Sequence, residues 1–292
     1  METMLIIYNP KSGKGKIVEK IDWIVNTLKA KYIIDLYAPR PNEWIRDKIK
    51  SLEKHYDIFL AIGGDGTINA VVSGVADLDY IPKIAIIPQG TVNDMARNFG
   101  MPMSTKRSLK VLMENDCTRP HNIYRINDGY FDYTFALGVC SGVSYIDNKP
   151  LGPLSYYITA VKLFFKDKDV NIKMKINGEE IEGKYKFILV TNSEHIGGFK
   201  VKFYDKLAVV LIKGKKLFFP FQLLWYSITS RAKYKYLTDN LEIEADSKQY
   251  NADGEGVEFA KNIKIEKAKT INFLCTKRAR RRYEKMMKKA KQ

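Results

Sequence analysis

The stretch Asp57-Ile58-Phe59-Leu60-Ala61-Ile62-Gly63-Gly64-Asp65-Gly66-Thr67 decides the fold of the N-terminal part of the chain. Apart from Asp57, its first six residues are apolar, which is typical of a strand buried on both faces of a parallel sheet. The glycines that follow permit a sharp turn and let an anion approach the backbone N–H groups. Thr67 suits the start of a helix, whose N-terminus attracts negative charge. The stretch therefore predicts a strand, an anion-binding turn and a helix, in that order.

Strands and helices alternate on both sides of this stretch. Apolar runs at 5–8, 32–37 and 84–87 predict further strands, and apolar residues at helical spacing predict helices between them. One helix is expected to open at Pro41 and to carry an apolar stripe. The stripe would consist of Trp44, Ile45, Ile49 and Leu52. This alternation predicts an α/β N-terminal domain, with helices flanking a parallel sheet.

The pattern changes after residue 120. Short runs alternate with turn signals, and Lys173–Ile181 is the clearest hairpin candidate because Asn177-Gly178 lies at its bend. A β-rich, antiparallel, sandwich-like domain is therefore predicted for 121–274, with helical interruptions at about 154–165 and 217–230. The nucleotide-binding domain would be 1–120, rejoined by about 275–292.

Composition narrows the class of protein. The 292 residues are 45% hydrophobic and 28% charged, as in ordinary globular proteins. The 3 cysteines lie far apart, which excludes a disulfide framework and a CxxC zinc site. Neither a signal peptide nor an apolar segment of membrane-spanning length is visible, so a cytoplasmic protein is expected.

The charge balance is strongly basic. Against 49 Lys and Arg stand 33 Asp and Glu, a formal net charge of +16. Such a surface attracts nucleotides, nucleic acid or an anionic lipid surface, although it also fits a merely solubilising role. The tail 277–292 adds a run of Lys and Arg that predicts an exposed basic helix. No recognised nucleic-acid-binding motif accompanies the charge, so no nucleic-acid partner is predicted.

Three turns follow strands in the N-terminal part, at Asn9–Gly15, Gly63–Thr67 and Pro88–Asp94. Because the carboxyl ends of parallel strands meet at one edge of a sheet, these turns are expected to form one phosphate-binding crevice. Lys14 and Arg97 could neutralise phosphate charge, or be solvated cations. Walker A, dinucleotide-fold and protein-kinase motifs are not found in the sequence.

The combination of motifs resembles a known family. Ile7–Gly13, Gly63–Asn69 and Gly90–Arg97 together are similar to the diacylglycerol kinase catalytic domain, and more closely to the bacterial soluble lipid kinases of that family. The resemblance continues in the family's order through 151–156, 197–199 and 253–255. It implies an ATP- and Mg²⁺-dependent lipid kinase, which phosphorylates a lipid hydroxyl such as that of diacylglycerol.

The resemblance, together with the basic residues of the turns, predicts which residues bind the metal ion and the nucleotide and which acts as general base. Asp65 and Asp94 match acidic positions that serve the catalytic Mg²⁺ directly or through water, and Glu255 matches the general base. By spacing alone, Glu255 is equally compatible with a solvated side chain. The residues predicted to bind nucleotide are Asn9, Pro10, Lys11, Ser12, Gly13, Lys14, Gly63, Gly64, Asp65, Gly66, Thr67, Ile68, Asn69, Thr91 and Arg97.

Three positions depart from the family pattern. Ala70 stands where the family often has Glu, and Asn122 stands where it often has Asp. A turn that holds a structural Mg²⁺ in some members is contracted here, with Asp205 beside two lysines. We therefore expect that structural site to be empty or occupied by a lysine ammonium group.

Two other functions and several properties stay open. An NAD kinase-like enzyme would share the Gly-Gly-Asp-Gly-Thr turn, but its Gly-Ser-Thr-Ala-Tyr-like segment is not found. A non-catalytic lipid- or nucleotide-binding protein on the same fold is the third hypothesis.

The lipid substrate is expected at the inner membrane surface, with peripheral attachment to anionic lipid through the basic surface and tail. The aromatic run 217–226 would contact lipid or be buried in the core. The sequence identifies neither the acceptor lipid nor the oligomeric state.

Overall fold

The structure is a computed structural model, and it divides the chain into two compact units. The first unit is Met1–Asn122 with Lys269–Gln292, and the second is Ile123–Ala268. The residues described are 1–41, 43–114, 116–138, 169–202, 206–213, 234–247, 249–253, 255–258 and 261–290. Several predictions lie outside these residues: the helices at 154–165 and 217–230, the motif at 151–156, the aromatic run 217–226 and the turn at Asp205.

The first unit alternates strands and helices as predicted. Its strands are β1 (Glu2–Tyr8), β2 (Tyr32–Tyr37), β3 (Ile58–Gly63) and β4 (Lys83–Pro88). Its helices before residue 115 are α1 (Ile21–Leu28), α2 (Ile45–Lys50), α3 (Asp65–Asp77), α4 (Asp94–Asn98) and α5 (Thr105–Glu114). The strands pair in parallel in the order β2-β1-β3-β4. Every residue of β3 is buried, as its continuous apolar run predicts.

The start of α2 differs from the prediction. The helix begins at Ile45 rather than at Pro41. Just before it, the Glu43 carboxylate accepts a hydrogen bond from the backbone N–H of Arg40 (3.0 Å), and the Glu43 N–H donates to the Arg40 carbonyl oxygen (3.1 Å). Trp44 is extended and 75% exposed, so its place on a buried stripe was wrong. Ile45 and Ile49 do pack inward.

The second unit is rich in antiparallel strands, and two strands, β5 (Thr118–Ile126) and β18 (Asn262–Leu274), contain the points where the chain passes between the units. The strands between them are β6 (Gly129–Phe131), β7 (Thr134–Gly138), β8 (Val170–Ile176), β9 (Glu179–Tyr185), β10 (Phe187–Thr191), β11 (His195–Ile196), β12 (Phe199–Lys200), β13 (Leu207–Ile212), β14 (Tyr234–Thr238), β15 (Asn240–Ala245), β16 (Gln249–Ala252) and β17 (Glu255–Glu258). The chain's last described helix, α6 (Lys277–Ala290), belongs to the first unit.

Two larger sheets and the short antiparallel pair β11-β12 build the described part of the second unit. Strands β18, β15, β8 and β9 follow one another in one sheet, and the other has the order β14-β13-β10-β7-β16-β17. A single buried cluster draws side chains from both sheets, including Met174 of β8 and Val190 of β10. The antiparallel, strand-rich fold predicted for this part is therefore confirmed.

The predicted hairpin is present. Strands β8 and β9 pair in antiparallel register from Val170↔Tyr185 to Ile176↔Glu179. Asn177 and Gly178 between them both have positive φ, of 51° and 85°. Two consecutive residues in this conformation match the right-handed twist of the strands, and Asn-Gly tolerates it best.

Candidate functional site

The three predicted turns are neighbours at the carboxyl edge of the parallel sheet. The backbone N–H of Asn9, just after β1, donates a hydrogen bond to the carbonyl oxygen of Ile62 in β3 (3.2 Å). The backbone N–H of Gln89, just after β4, donates to the carbonyl oxygen of Gly63 (2.8 Å). The turn after β3 therefore lies between the other two, and the predicted convergence is confirmed.

Glycine is required where two of these turns meet. A Cβ atom added to Gly90 would lie 2.6 Å from the Cα atom of Gly64, and one added to Gly63 would lie 2.5 Å from the Thr67 side chain. Real Cβ atoms do not approach other heavy atoms so closely. Gly64 is the N-cap of α3 and supplies no side chain to the first-turn N–H groups. An uncapped helix N-terminus lined by close backbone suits an anion such as a phosphate.

Gly90→Ala is expected to destabilise the first unit. The added methyl group must push the turn away from Gly64, and overpacking of this kind costs about 1–3 kcal/mol. Denaturant unfolding would measure the change. Gly129→Ala is the control, because its Cβ atom would meet the nearest atom at 3.6 Å, an ordinary contact. Equal unfolding free energies for the two variants would contradict the close approach of the turns.

Asn93 holds the turn after β4 in shape. Its side-chain Oδ1 accepts a hydrogen bond from the N–H of Gly90 (2.8 Å), and its Nδ2 donates to the carbonyl oxygen of Gly90 (2.7 Å). Its φ of 56° lies in the left-handed region, which Asn tolerates better than most residues. Sequence reasoning gave Asn93 no role of its own, although Asn at a tight strand-to-helix turn is the signal for this conformation.

Asp65 connects two helices. Its carboxylate accepts a hydrogen bond from the backbone N–H of Met95 (3.1 Å), and the backbone N–H groups of Asn93 and Asp94 also hydrogen-bond to it. Burial raises the pKa of Asp65, while these hydrogen bonds and the positive charge of Arg97 oppose the rise. Asp65 thus fixes the start of α4 from the first residue of α3, a role that sequence reasoning missed.

The other residues predicted to bind nucleotide differ in their exposure to solvent. Thr91 and Lys11 are exposed, and Arg97 is partly exposed with its Nε donating to the carbonyl oxygen of Val92 (2.9 Å). Ile68 is fully buried, so it can offer only its backbone to a ligand. Asn9, Pro10, Ser12, Gly64, Gly66 and Asn69 are partly exposed, and Gly63 and Thr67 are buried; Gly13 and Lys14 lie in the 3₁₀ helix Ser12–Gly15.

The described residues fit Mg²⁺ only in part. In the ranges given above, no group of three or more His, Cys, Asp and Glu side chains is arranged to hold a metal ion. Mg²⁺ commonly keeps waters and takes one or two carboxylates plus substrate phosphates, which the hard oxygens of Asp65 could satisfy. Asp94 is only 2% exposed, and the Asn122 Oδ1 accepts a hydrogen bond from the Thr270 hydroxyl (2.9 Å). Among these three residues, Asp65 would therefore be the one best able to serve Mg²⁺ through water.

Glu255 lies in the second unit, at the start of β17, where it pairs with Ala252 across a two-residue connection. Asp253 in that connection is 2% exposed and has a φ of 51°. Its carboxylate accepts hydrogen bonds from the backbone N–H groups of Asp132 (2.7 Å), Tyr133 (3.0 Å) and Thr134 (2.9 Å). Asp253 thus fastens the turn before Glu255 to the segment that leads into β7. Sequence reasoning noticed Asp253 only as part of a motif.

Parts of the chain are similar in sequence to proteins of one family. Residues 3–124 match the model of the diacylglycerol kinase catalytic domain. A diacylglycerol kinase of Staphylococcus saprophyticus is 33% identical over 201 residues, which are 67% of this chain and 66% of that protein. One of Staphylococcus aureus is 31% identical over 201 residues, covering 67% and 64% of the two chains. The match thus spans slightly less than two thirds of these relatives.

Solved structures agree on the fold. The crystal structure of a diacylglycerol kinase from Bacillus anthracis superposes with a TM-score of 0.78 at 20% identity, covering 95% of this chain and 98% of that one. Fold and site together define an α/β protein with an anion-receptive glycine edge, joined to an antiparallel strand-rich unit. Residues 3–124, which the family model matches, therefore belong to the diacylglycerol kinase catalytic-domain family.

Proposed function

We propose that this protein is an ATP- and Mg²⁺-dependent lipid kinase, which transfers the γ-phosphate of ATP to a lipid hydroxyl such as that of diacylglycerol. The observation that carries the proposal is the meeting of three turns beside the uncapped N-terminus of α3. The family membership of residues 3–124 supports the same activity. The protein would act in the cytoplasm, attached peripherally to the inner membrane face through its basic surface.

Phosphoryl transfer needs the phosphates to be held in line and their charge to be neutralised. The first-turn N–H groups of α3 and the backbone of Gly64 and Gly90 would bind phosphate oxygens, and Lys14 and Arg97 would add positive charge. Because Asn93 and Asp65 already hold this edge in shape, little order has to be gained when the nucleotide binds. Mg²⁺, when bound near Asp65, would neutralise charge on the phosphates as transfer proceeds.

The acceptor hydroxyl must lose a proton as it attacks. We propose that the Glu255 carboxylate accepts this proton as the general base. Glu255→Gln keeps the size of the side chain but removes its basicity, so turnover should fall by about 10²- to 10⁴-fold. Glu258→Gln, the same change three residues further along β17, is the control and should keep turnover within a few-fold. Near-normal turnover of Glu255→Gln would refute the assigned role.

The activity itself is tested by finding the product. The protein would be incubated with γ-labelled ATP, Mg²⁺ and a total lipid extract, and the labelled lipid identified by mass spectrometry. A phosphorylated lipid supports the proposal, and its structure identifies the acceptor. Label transferred to NAD in a parallel reaction would favour the NAD kinase-like alternative. ATP binding without transfer to either acceptor would favour a non-catalytic protein.

A further inference from the structure

Helix α6 is held firmly to the first unit by one of its faces. Ala279 is 1% exposed, and the Arg280 Nη1 donates a hydrogen bond to the carbonyl oxygen of Thr118 (2.6 Å). The ring of Tyr283 lies under the guanidinium group of the buried Arg119, 4.9 Å from its carbon. The helix is therefore a fixed part of the fold, and its outward face has a definite composition.

That outward face is a row of positive charges. The exposed residues of α6 recur at helical spacing, so they form one stripe along the axis. The cations among them are Lys277, Arg278, Arg281, Lys285 and Lys288, which we call the basic stripe. Glu284 is the one exposed acid, and its carboxylate accepts a hydrogen bond from the Arg280 Nε at 2.6 Å. The negative charge of Glu284 is thus matched by a cation outside the stripe.

We propose that the basic stripe is the surface by which this protein docks on an anionic phospholipid bilayer. Its cations span about 16 Å at 1.5 Å per residue, in a straight line suited to a flat surface. Among the side chains of α6 that the structure describes as exposed, none is apolar, so contact through the stripe would be electrostatic and without insertion into the hydrocarbon. Among the described residues, no helix is long and apolar enough to cross a membrane. The choice of a bilayer over another polyanion rests on the proposed function, because the acceptor would be a membrane lipid.

A charge-matched pair of variants tests the docking. Arg278→Gln, Arg281→Gln and Lys285→Gln together remove three charges from the stripe. Lys173→Gln, Lys175→Gln and Lys184→Gln remove three exposed charges from β8 and β9 of the second unit, so both variants lower the formal net charge of +16 equally. Thermal melting would show that both variants remain folded.

Binding would be measured by co-sedimentation with vesicles of phosphatidylcholine, with and without phosphatidylserine. Each cation near an anionic surface contributes about 1 kcal/mol, so the stripe variant should bind phosphatidylserine vesicles about a hundredfold more weakly than the unmodified protein. The control should change by less than about threefold, and high salt should weaken binding of the unmodified protein because the Debye length shortens. Equal losses in both variants, or equal binding to neutral vesicles, would overturn the proposal.

Two further measurements distinguish membrane docking from an effect on enzymatic activity and from binding to nucleic acid. Turnover on detergent-dispersed acceptor should be the same in the stripe variant and the unmodified protein. No turnover by either protein would count against the proposed kinase, while the vesicle result would still stand. Binding of a short DNA duplex would be measured for the same two proteins. If the stripe variant lost DNA binding but kept vesicle binding, the docking proposal would be overturned.

Discussion

Asp65→Ala is expected to remove nearly all phosphoryl transfer and to weaken the fold as well. The Asp65 carboxylate accepts hydrogen bonds from the first N–H groups of α4, and alanine would leave these donors without their acceptor. A buried donor that loses its partner costs about 1–3 kcal/mol, so the free energy of unfolding should fall by an amount in this range. Turnover should fall at least about 10²-fold, as when a fixed electrostatic group is removed from an active site.

Asp65→Asn separates the structural role from the electrostatic one. Asparagine keeps one carbonyl oxygen as an acceptor for α4 but carries no charge to attract a metal ion. The stability loss should therefore be smaller than for alanine, while the loss of turnover should be as large. Denaturant unfolding and the labelled-ATP assay measure the two effects independently.

Asp57→Asn is the matched control for this experiment. The Asp57 carboxylate also accepts a backbone hydrogen bond, from the N–H of Thr3 at 2.8 Å, but at the amino end of β3. Its loss should cost stability without affecting turnover per folded molecule. If Asp65→Asn kept near-normal turnover, Asp65 would be a structural residue alone.

The sequence predicted those features that depend on local patterns. The buried strand β3 is a continuous apolar run, and the turns after β1, β3 and β4 carry glycine or asparagine. The hairpin at Asn177-Gly178 was predictable because two positive-φ residues need a particular pair of side chains. The adjacency of the three turns then follows from the rule that carboxyl ends of parallel strands share one edge.

The long-range roles of the acidic residues could not be predicted in the same way. Asp65 meets Met95 across 30 positions, and Asp253 meets Asp132 across 121 positions. No periodicity links residues so far apart, and an acid in a glycine turn suggests a ligand before it suggests a support for backbone. The prediction for Trp44 was wrong for the opposite reason. Its apolar character indicated burial, but Trp44 is the extended residue before α2 and its side chain is exposed.

Asp253→Asn and Asp132→Asn are the same chemical change and are expected to have opposite results. The two Asp253 oxygens accept three backbone hydrogen bonds between them. An amide group in either orientation would place an N–H group against one of these donors. Each donor left without an acceptor costs about 1–3 kcal/mol. Asp253→Asn should therefore lower the free energy of unfolding and, by loosening the turn before Glu255, turnover as well.

Asp132 is the side-chain partner of Asp253. It is fully buried, and its side chain hydrogen-bonds to that of Asp253. A hydrogen bond between two carboxyl groups needs a proton, whereas an asparagine at position 132 would donate one from its amide. Asp132→Asn should therefore leave stability at neutral pH unchanged or increase it.

The pH dependence of stability distinguishes these variants further. Burial raises the pKa of Asp253, although its hydrogen bonds to Asp132 and to the backbone oppose the rise. A carboxyl whose pKa is raised by folding adds stability below the ordinary Asp pKa of about 3.9, and this contribution is lost as the pH rises through the raised value. The unmodified protein should accordingly lose stability from this pair between these two pKa values. Asp132→Asn should show a flatter profile, because its amide donates to the Asp253 carboxylate without binding a proton.

Urea unfolding of the unmodified protein, Asp253→Asn and Asp132→Asn across this pH range would measure their order of stability. The expected order of stability at neutral pH places Asp132→Asn at or above the unmodified protein and Asp253→Asn well below it. The reverse order would mean that Asp132, rather than Asp253, is the group that needs its negative charge. Since the three backbone donors converge on Asp253, that outcome would require a different hydrogen-bond arrangement in this turn.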